Sequence, residues 1–269
     1  MGTELGVQLA REGHQVWGLK RDPSTLPPEI HGIQADLLAP GLTSRLPPVD
    51  GVVYAASAGG SSPDAYQAIY VEGVKAILAG LKEREGPPVR RFVFVSSTGV
   101  YGDSGGAWVD EETPIDDQNF RSRFLGQGEA LVLESGIPAT VLRLGGIYGP
   151  GRTRLLERVR EGQARCPGDG PIWSNRIHRD DAARAIQHLL TLPAPKPIYL
   201  GVDDEPAPLC QVYRTLAGYL DAPEPVIDPD ASRRRSNKRC SNRRLRASGF
   251  SFTYPSFREG YRAMIADGA

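Results

Sequence analysis

MGTELGVQLAREGHQVWGLKRDP, residues 1–23, is the stretch on which the fold turns. Thr3 to Glu12 reads as a helix, and Gly13 is a natural helix stop. QVWGLK (15–20) follows with the β-branched and aromatic content of a strand. A helix running straight into a strand is the second half of a strand–turn–helix–strand unit. The first half is missing, because Gly2 follows directly on Met1.

Downstream the alternation continues. GIQADLLAP (32–40) holds a short strand ending at Asp36–Leu37, and GVVYAAS (51–57) is a compact strand closing on small residues. Ser62-Pro63 starts a helix, with Ser as cap and Pro in the first turn. Behind it Tyr66, Ile69, Tyr70, Gly73, Val74, Ile77, Leu78 and Leu81 fall on one helical face. RFVFVSS (91–97) is a nearly continuous apolar strand of the kind buried on both sides. A polar segment (101–119), a helix near 122–135 and the strand PATVLRLGG (138–146) come next. RTRLLERVREG (152–162) is a helix, as is DDAARAIQHLLTL (180–192), capped by Asp180 or Asp181. PIYLGVDD (197–204) is a strand and LCQVYRTLAGYL (209–220) a helix. Strands and helices alternating at this spacing imply a parallel sheet with crossovers, the doubly wound architecture.

Composition narrows the function classes. The 269 residues are 40% hydrophobic, enough for one large domain or a domain with a smaller lobe. Thirty-two Lys and Arg balance thirty-two Asp and Glu, so no global charge favours nucleic acid or anionic membranes. Cys166, Cys210 and Cys240 lie far apart, with no CxxC or Cys/His cluster. That spacing argues against a disulfide scaffold or a bound metal, and suits a reducing, cytoplasmic setting. The apolar runs are too short to span a bilayer, and no signal peptide opens the chain.

In an open parallel sheet, ligands bind beyond the carboxyl ends of the strands. Gly2 sits where a GxGxxG fingerprint places its last glycine, at a helix start whose amides and dipole suit pyrophosphate. One glycine before a helix is also an ordinary turn residue. Five segments in order add weight: GVQLAREGHQV (6–16), GVVYAAS, FVFVSSTGVYG (92–102), LRLGGIYGPGR (142–152) and NRIHRDDAARAI (175–186). Together they resemble the short-chain dehydrogenase/reductase superfamily in its extended form, typified by nucleotide-sugar epimerases and dehydratases. With GFSFTYPSFREGY (249–261) they look closest to a bacterial subgroup of NAD-dependent epimerase/dehydratase proteins. The resemblance runs from residue 2 to about 205.

It implies an α/β fold, a doubly wound Rossmann-type parallel sheet with a small C-terminal substrate lobe. Residues 1–150 and 176–203 would bind NAD(P), and 151–175 with 204–269 would form the lobe. Cofactor contacts carried over from the family are Gly2, Ala55, Ala56, Ser57 and Ser96, with Asp36 and Leu37 beside the adenine. The other reading of Asp36 is a turn cap. Lys20 and Arg21 end the second strand where NAD-binding members commonly place an acid. Two cations there favour NADP(H) over NAD(H), the other reading being a solvated pair. In the doubly wound order the missing strand is central, between QVWGLK and GVVYAAS. The expectation is therefore an N-terminally shortened form of a longer protein, poorly stable and weak in dinucleotide binding.

The departures concern catalysis. The family's chemistry rests on a Tyr-x-x-x-Lys pair, in which the Lys lowers the Tyr pKa for proton exchange. Glu129 fits the Glu that usually follows, which puts Leu125 at the Lys position and Arg121 at the Tyr position. Residues 102–147 contain neither Tyr nor Lys. The remaining catalytic candidates are Ser97, Tyr101 and Arg121. Ser97 matches the family's catalytic Ser/Thr, or else serves local backbone. Tyr101 is a substrate or structural contact in the family and has no Lys placed to tune it.

For substrate binding, Arg143 and Arg152 flank the strand end and loop where phosphates would lie, and Arg176 and His178 border the cleft. In the family the His178 element orders the return to the sheet. RRRSNKRCSNRRLR (233–246) holds eight cations and no acid. It reads as a solvated surface, a site for an anionic small molecule or, least of all, an RNA contact, since it lacks interleaved aromatics. The function expected is NAD(P)-dependent epimerase, dehydratase or oxidoreductase chemistry on a small substrate, nucleotide-linked ones included. A non-catalytic NADP(H)-binding sensor is the alternative, and RNA binding through 233–246 a minor one. The expected partners are a small molecule and a second copy in a homodimer, with no membrane.

Overall fold

The structure is a computed structural model and describes residues 1–168, 170–229, 231 and 236–268. The chain opens with α1 (Gly2–Arg11), β1 (Trp17–Lys20), β2 (His31–Gln34) and β3 (Gly51–Tyr54). Then come α2 (Pro63–Gln67), a π-turn over Ala68–Glu72, α3 (Gly73–Glu83), β4 (Arg91–Ser97) and β5 (Trp108–Val109). The middle of the chain forms α4 (Phe120–Leu133), β6 (Ala139–Leu144), β7 (Gly146–Tyr148), α5 (Arg154–Arg160) and β8 (Arg165–Pro167). Next are β9 (Trp173–Ser174), β10 (Arg176–His178), α6 (Arg179–Thr191), β11 (Ile198–Gly201), β12 (Ala207–Pro208) and α7 (Leu209–Leu220). The chain ends with β13 (Val226–Asp228), β14 (Arg239–Cys240), α8 (Arg243–Ala247) and α9 (Phe257–Ala266).

This is the expected Rossmann-like α/β fold. The main sheet has the order β11-β6-β4-β3, and β3 runs parallel to β4 with Tyr54 opposite Phe94. β1 and β2 pair parallel in a separate two-stranded sheet, Trp17 opposite His31. Among the described residues β3 pairs with β4 alone.

Two compact units divide the chain. The first comprises Met1–Val100, Ile115–Arg143 and Ala183–Tyr199, and the second Tyr101–Pro114, Leu144–Ala182 and Leu200–Ala269. Residues 101–114, 144–150, 176–182 and 200–203 thus join the second unit, a division that differs from the lobes drawn from the sequence. Each unit has its own core. Tyr54, Val74, Phe92, Phe94, Val132 and Val141 anchor the first, and Tyr148, Leu156, Val212, Leu216, Phe257 and Tyr261 the second.

Local sequence explains most of the first unit. Gly13 takes φ 89° just past α1, the conformation that favours glycine. Ser62 accepts the Ala65 amide with Pro63 in the first turn, as expected. Phe92, Val93 and Phe94 are fully buried, as a strand covered on both faces requires. The long apolar helix, however, is not regular. The Tyr54 hydroxyl donates to the Ile69 carbonyl (2.6 Å) within the π-turn. That carbonyl has a partner outside the helix. Gly73 makes the approach feasible, because a Cβ there would lie 2.6 Å from the Tyr54 hydroxyl.

The π-turn in turn meets α4 at Gly128. A Cβ on Gly128 would collide with the Tyr70 carbonyl oxygen and lie 3.1 Å from Phe94. A backbone oxygen cannot move aside as a side-chain tip can. Gly128→Ala is therefore expected to cost about 1–3 kcal/mol through overpacking, read as a fall in denaturation midpoint. An unchanged midpoint would mean the helices separate without cost.

The cysteines overturn the sequence expectation. Cys166 on β8 and Cys210 on α7 form a disulfide, with Cα atoms 5.3 Å apart. Forty-four positions in sequence say nothing about distance once both elements pack into one core. Cys240 is buried.

Candidate functional site

The expected cofactor contacts all lie in the first unit, where Gly2 and Ala55 approach each other. Gly2 opens α1, where no side chain caps the first-turn amides. A Cβ on Gly2 would stand 4.0 Å from that of Ala55, just past the end of β3. The uncapped amides at a strand end are the arrangement that accepts a pyrophosphate, though Glu4 in the same turn brings an opposing charge. Ala56 and Leu37 are half-buried against the core, and Ser57 is exposed. Asp36 is exposed and its carboxylate accepts the Leu38 amide (3.0 Å), so it caps a turn. Lys20 and Arg21 are exposed at the end of β1, and Lys20 donates to Thr25 Oγ1 (2.8 Å).

The far end of β4 carries the expected serines. Ser97 Oγ accepts the Gly99 amide (3.0 Å), the local backbone role. Ser96 Oγ donates to Glu129 Oε1 (2.6 Å). Glu129 is also held by Arg143, whose Nη2 and Nε reach it at 2.6, 3.1 and 3.2 Å. Both side chains are only 5% exposed. Arg143, expected at substrate phosphates, is therefore a buried partner of Glu129 and not a solvent-facing anion receptor. Ser96 likewise serves this network. On α4, Arg121 is exposed and lies over the rings of Phe120 (5.5 Å) and Tyr66 (5.9 Å), while Leu125 is buried. No phenol–ammonium pair stands on this helix.

The second unit holds the other candidates. Tyr101 is 2% exposed, and its hydroxyl donates to the Asp110 carbonyl (2.7 Å). The buried Lys238 donates to the Tyr101 carbonyl (2.9 Å). The phenol thus makes a structural bond, in line with the structural contact that was one of its two expected roles. Arg152 is exposed on the Gly149–Arg152 turn.

His178 is buried between Tyr148 and Tyr254, at ring distances of 5.3 and 4.0 Å. Its Nδ1 accepts the Asp180 amide (3.3 Å) at the start of α6. The ring does there what Asp180 or Asp181 was expected to do. Asp181 instead accepts the amides of Thr253 and Tyr254 at 2.9 and 2.8 Å. Burial holds the His178 pKa below 6.5 against the pull of Asp180 and Asp181. Burial thus favours the uncharged imidazole, and its Nδ1 serves the start of α6.

Arg176 Nη1 contacts the Tyr261 hydroxyl (3.4 Å), while its buried Nε and Oδ2 of Asp203 lack hydrogen-bond partners. Burial pushes the Asp203 carboxyl well above 3.8, although Arg176 opposes the shift. The folded protein then keeps a proton that the unfolded chain releases above pH 3.8, so stability falls as pH rises through that range. Asp203→Asn should remove this slope. It should be the more stable protein at pH 8 and equal to the parent near pH 3, in denaturant midpoints measured across pH. Parallel pH profiles for the two proteins would refute the assignment.

Part of the basic run lies in ion pairs. Arg244 binds Glu111 (3.6 Å) and Glu112, and Arg246 binds Asp204 (2.6 Å). Arg239 stacks between Trp108 (5.1 Å) and Trp173 (4.8 Å). Ser232 to Arg235 lie outside the described residues. Among the described residues, no group of three or more His, Cys, Asp or Glu could hold a metal, and no helix is long and apolar enough to cross a membrane.

Comparison with known proteins is consistent with this geometry. The model of the NAD dependent epimerase/dehydratase family matches residues 1–201. A 3-diazoavenalumate denitrifying reductase from Streptomyces is 28% identical, over 97% of this chain and 95% of that protein. Protein YeeZ of Escherichia coli is 30% identical over 74% of this chain and 73% of its own. A Methylobacillus flagellatus structure of the NAD-dependent epimerase/dehydratase type is 32% identical, with a TM-score of 0.80 and coverage of 99% and 94%. Human epimerase family protein SDR39U1, solved with NADPH, shares the fold at 22% identity, with a TM-score of 0.81 and coverage of 100% and 96%.

Proposed function

Since the chain belongs to the NAD dependent epimerase/dehydratase family, we propose that it is an NADP(H)-preferring reductase of a small electrophilic molecule. The observation that carries this reading is the pairing of Arg121 with a buried Leu125 on α4. Epimerising or dehydrating an unactivated alcohol needs a general base of matched pKa. Adding hydride to an electron-poor centre does not. The similar Streptomyces protein is likewise a reductase.

Gly2 and Ala55 would hold the dinucleotide at the strand ends, with Lys20 and Arg21 at its 2′-phosphate. When bound, NADPH supplies the hydride. The chain's own part is to bind and orient. Ser97 keeps a hydroxyl proton at the end of β4 while its oxygen accepts the Gly99 amide, so it can donate to a substrate oxygen.

NADPH is expected to bind about tenfold more tightly than NADH, roughly 1.4 kcal/mol. Lys20→Asp combined with Arg21→Asn should reverse the order. Both cations are exposed, so the preference should shrink with added salt. Fluorescence titration of each cofactor measures this, and equal affinities in the parent would sink it. Turnover is tested by NADPH consumption against a quinone, an enone and an arenediazonium salt, with UDP-glucose as the epimerase probe. Consumption with an electrophile supports the reading, and interconversion of UDP-glucose refutes it. The missing base also favours a second reading, a non-catalytic NADP(H) sensor. Binding with no consumption by any probe would select that instead.

A further inference from the structure

β8 and α7 each place a cysteine on the wall of a pocket of about 500 Å3 within the second unit. That is the size of many small-molecule sites. Pro167, Pro208, Gln211 and Arg214 are among the residues that line the same pocket. The two cysteines are not equivalent. Cys166 is 1% exposed in the core, while Cys210 is half-buried at the second residue of α7.

Electrostatics separates them further. The first turn of α7 contains no acid, so its amides and dipole stabilise negative charge on the Cys210 sulfur once the bond is opened. Arg214 lies four residues on, hence on the same face of the helix. Its side chain is 55% exposed, and the Glu224 carboxylate stands 3.9 Å away. It leaves a cation in the pocket for an anionic ligand.

We propose that Cys166–Cys210 is a reversible redox couple worked from this pocket by an anionic low-molecular-weight thiol, with Cys210 the exchanging sulfur and Cys166 the resolving one. In reduction, the small thiolate bonds to Cys210 Sγ and the Cys166–Cys210 bond breaks. Cys166 leaves with the electron pair and takes up a proton. A second small thiolate then attacks the sulfur of the first, releasing the small disulfide and leaving Cys210 as a thiolate. Two small thiols lose two electrons in all, and the protein disulfide gains them. Oxidation by the small disulfide reverses both steps, with Cys210 attacking and Cys166 closing the bond. This inference stands independently of any nicotinamide chemistry.

The test uses the full native chain in glutathione buffers, quenched with N-ethylmaleimide and mapped by peptide mass spectrometry. The mixed disulfide should appear on Cys210 at least tenfold more than on Cys166, with buried Cys240 unmodified. Cys166→Ser should trap a stable glutathione adduct on Cys210. Arg214→Ala should slow its formation with glutathione but not with uncharged 2-mercaptoethanol. Adducts favouring Cys166, or reaction that begins only in denaturant, would overturn the proposal, and both are read on the unmutated protein.

Discussion

Glu129→Ala is expected to destabilise the protein by about 3–5 kcal/mol, because it strands the buried Arg143 guanidinium without its carboxylate. Ser96 loses its acceptor in the same stroke. Against a total stability of about 5–15 kcal/mol, such a loss leaves little margin. The effect comes from an orphaned charge, not from net attraction between the pair, since desolvating two ions offsets most of their mutual gain. Glu129→Leu with Arg143→Met should therefore recover most of what either single change loses. Urea denaturation of the singles and the double makes a cycle. A single-mutant cost below about 1 kcal/mol would show that water reaches the site, and the buried pair would then be no keystone.

Reducing the disulfide should have an effect of similar size. Closing a loop with a sequence separation of 44 restricts the unfolded chain by about 4 kcal/mol. Dithiothreitol should lower the unfolding free energy of the parent by that amount, read as a fall in its urea midpoint. It should leave unchanged a Cys166→Ala, Cys210→Ala double variant, which already sits at the reduced value. Equal midpoints with and without reductant in the parent would show that the bond contributes nothing to stability.

Much of the fold could be read from local signals. RFVFVSS could only be a strand covered on both sides, and Ser62-Pro63 could only begin a helix. The π-turn could not be read, because the hydroxyl that binds its Ile69 carbonyl lies fifteen residues away, on Tyr54. The disulfide was hidden for the same kind of reason. The Glu129–Arg143 pair did leave a trace. Glu129 interrupts the apolar stripe of Leu125 and Val132, and Arg143 interrupts ATVLRL. Two opposite charges in two buried runs need each other. Arg143 was instead read for its place near the strand end, and Tyr101 for its motif. Motif position indicates which segment approaches a site, but not whether a hydroxyl is already spent on a carbonyl such as that of Asp110.

The two units interleave along the chain, each assembled from three separate segments. During synthesis, then, neither can be completed while the other waits. The first lacks its last segment, Ala183–Tyr199, which carries most of α6 and the start of β11, until residue 199 has left the ribosome. By that point the first two segments of the second, less than half of it, have emerged and are without α7 and α9, the helices that close its core. At roughly 5–20 residues per second, both nascent halves expose apolar surface together for seconds. A messenger truncated anywhere before the last helix yields no finished unit from the second set of segments. The gene cannot be cut into two independently folding pieces without permuting it.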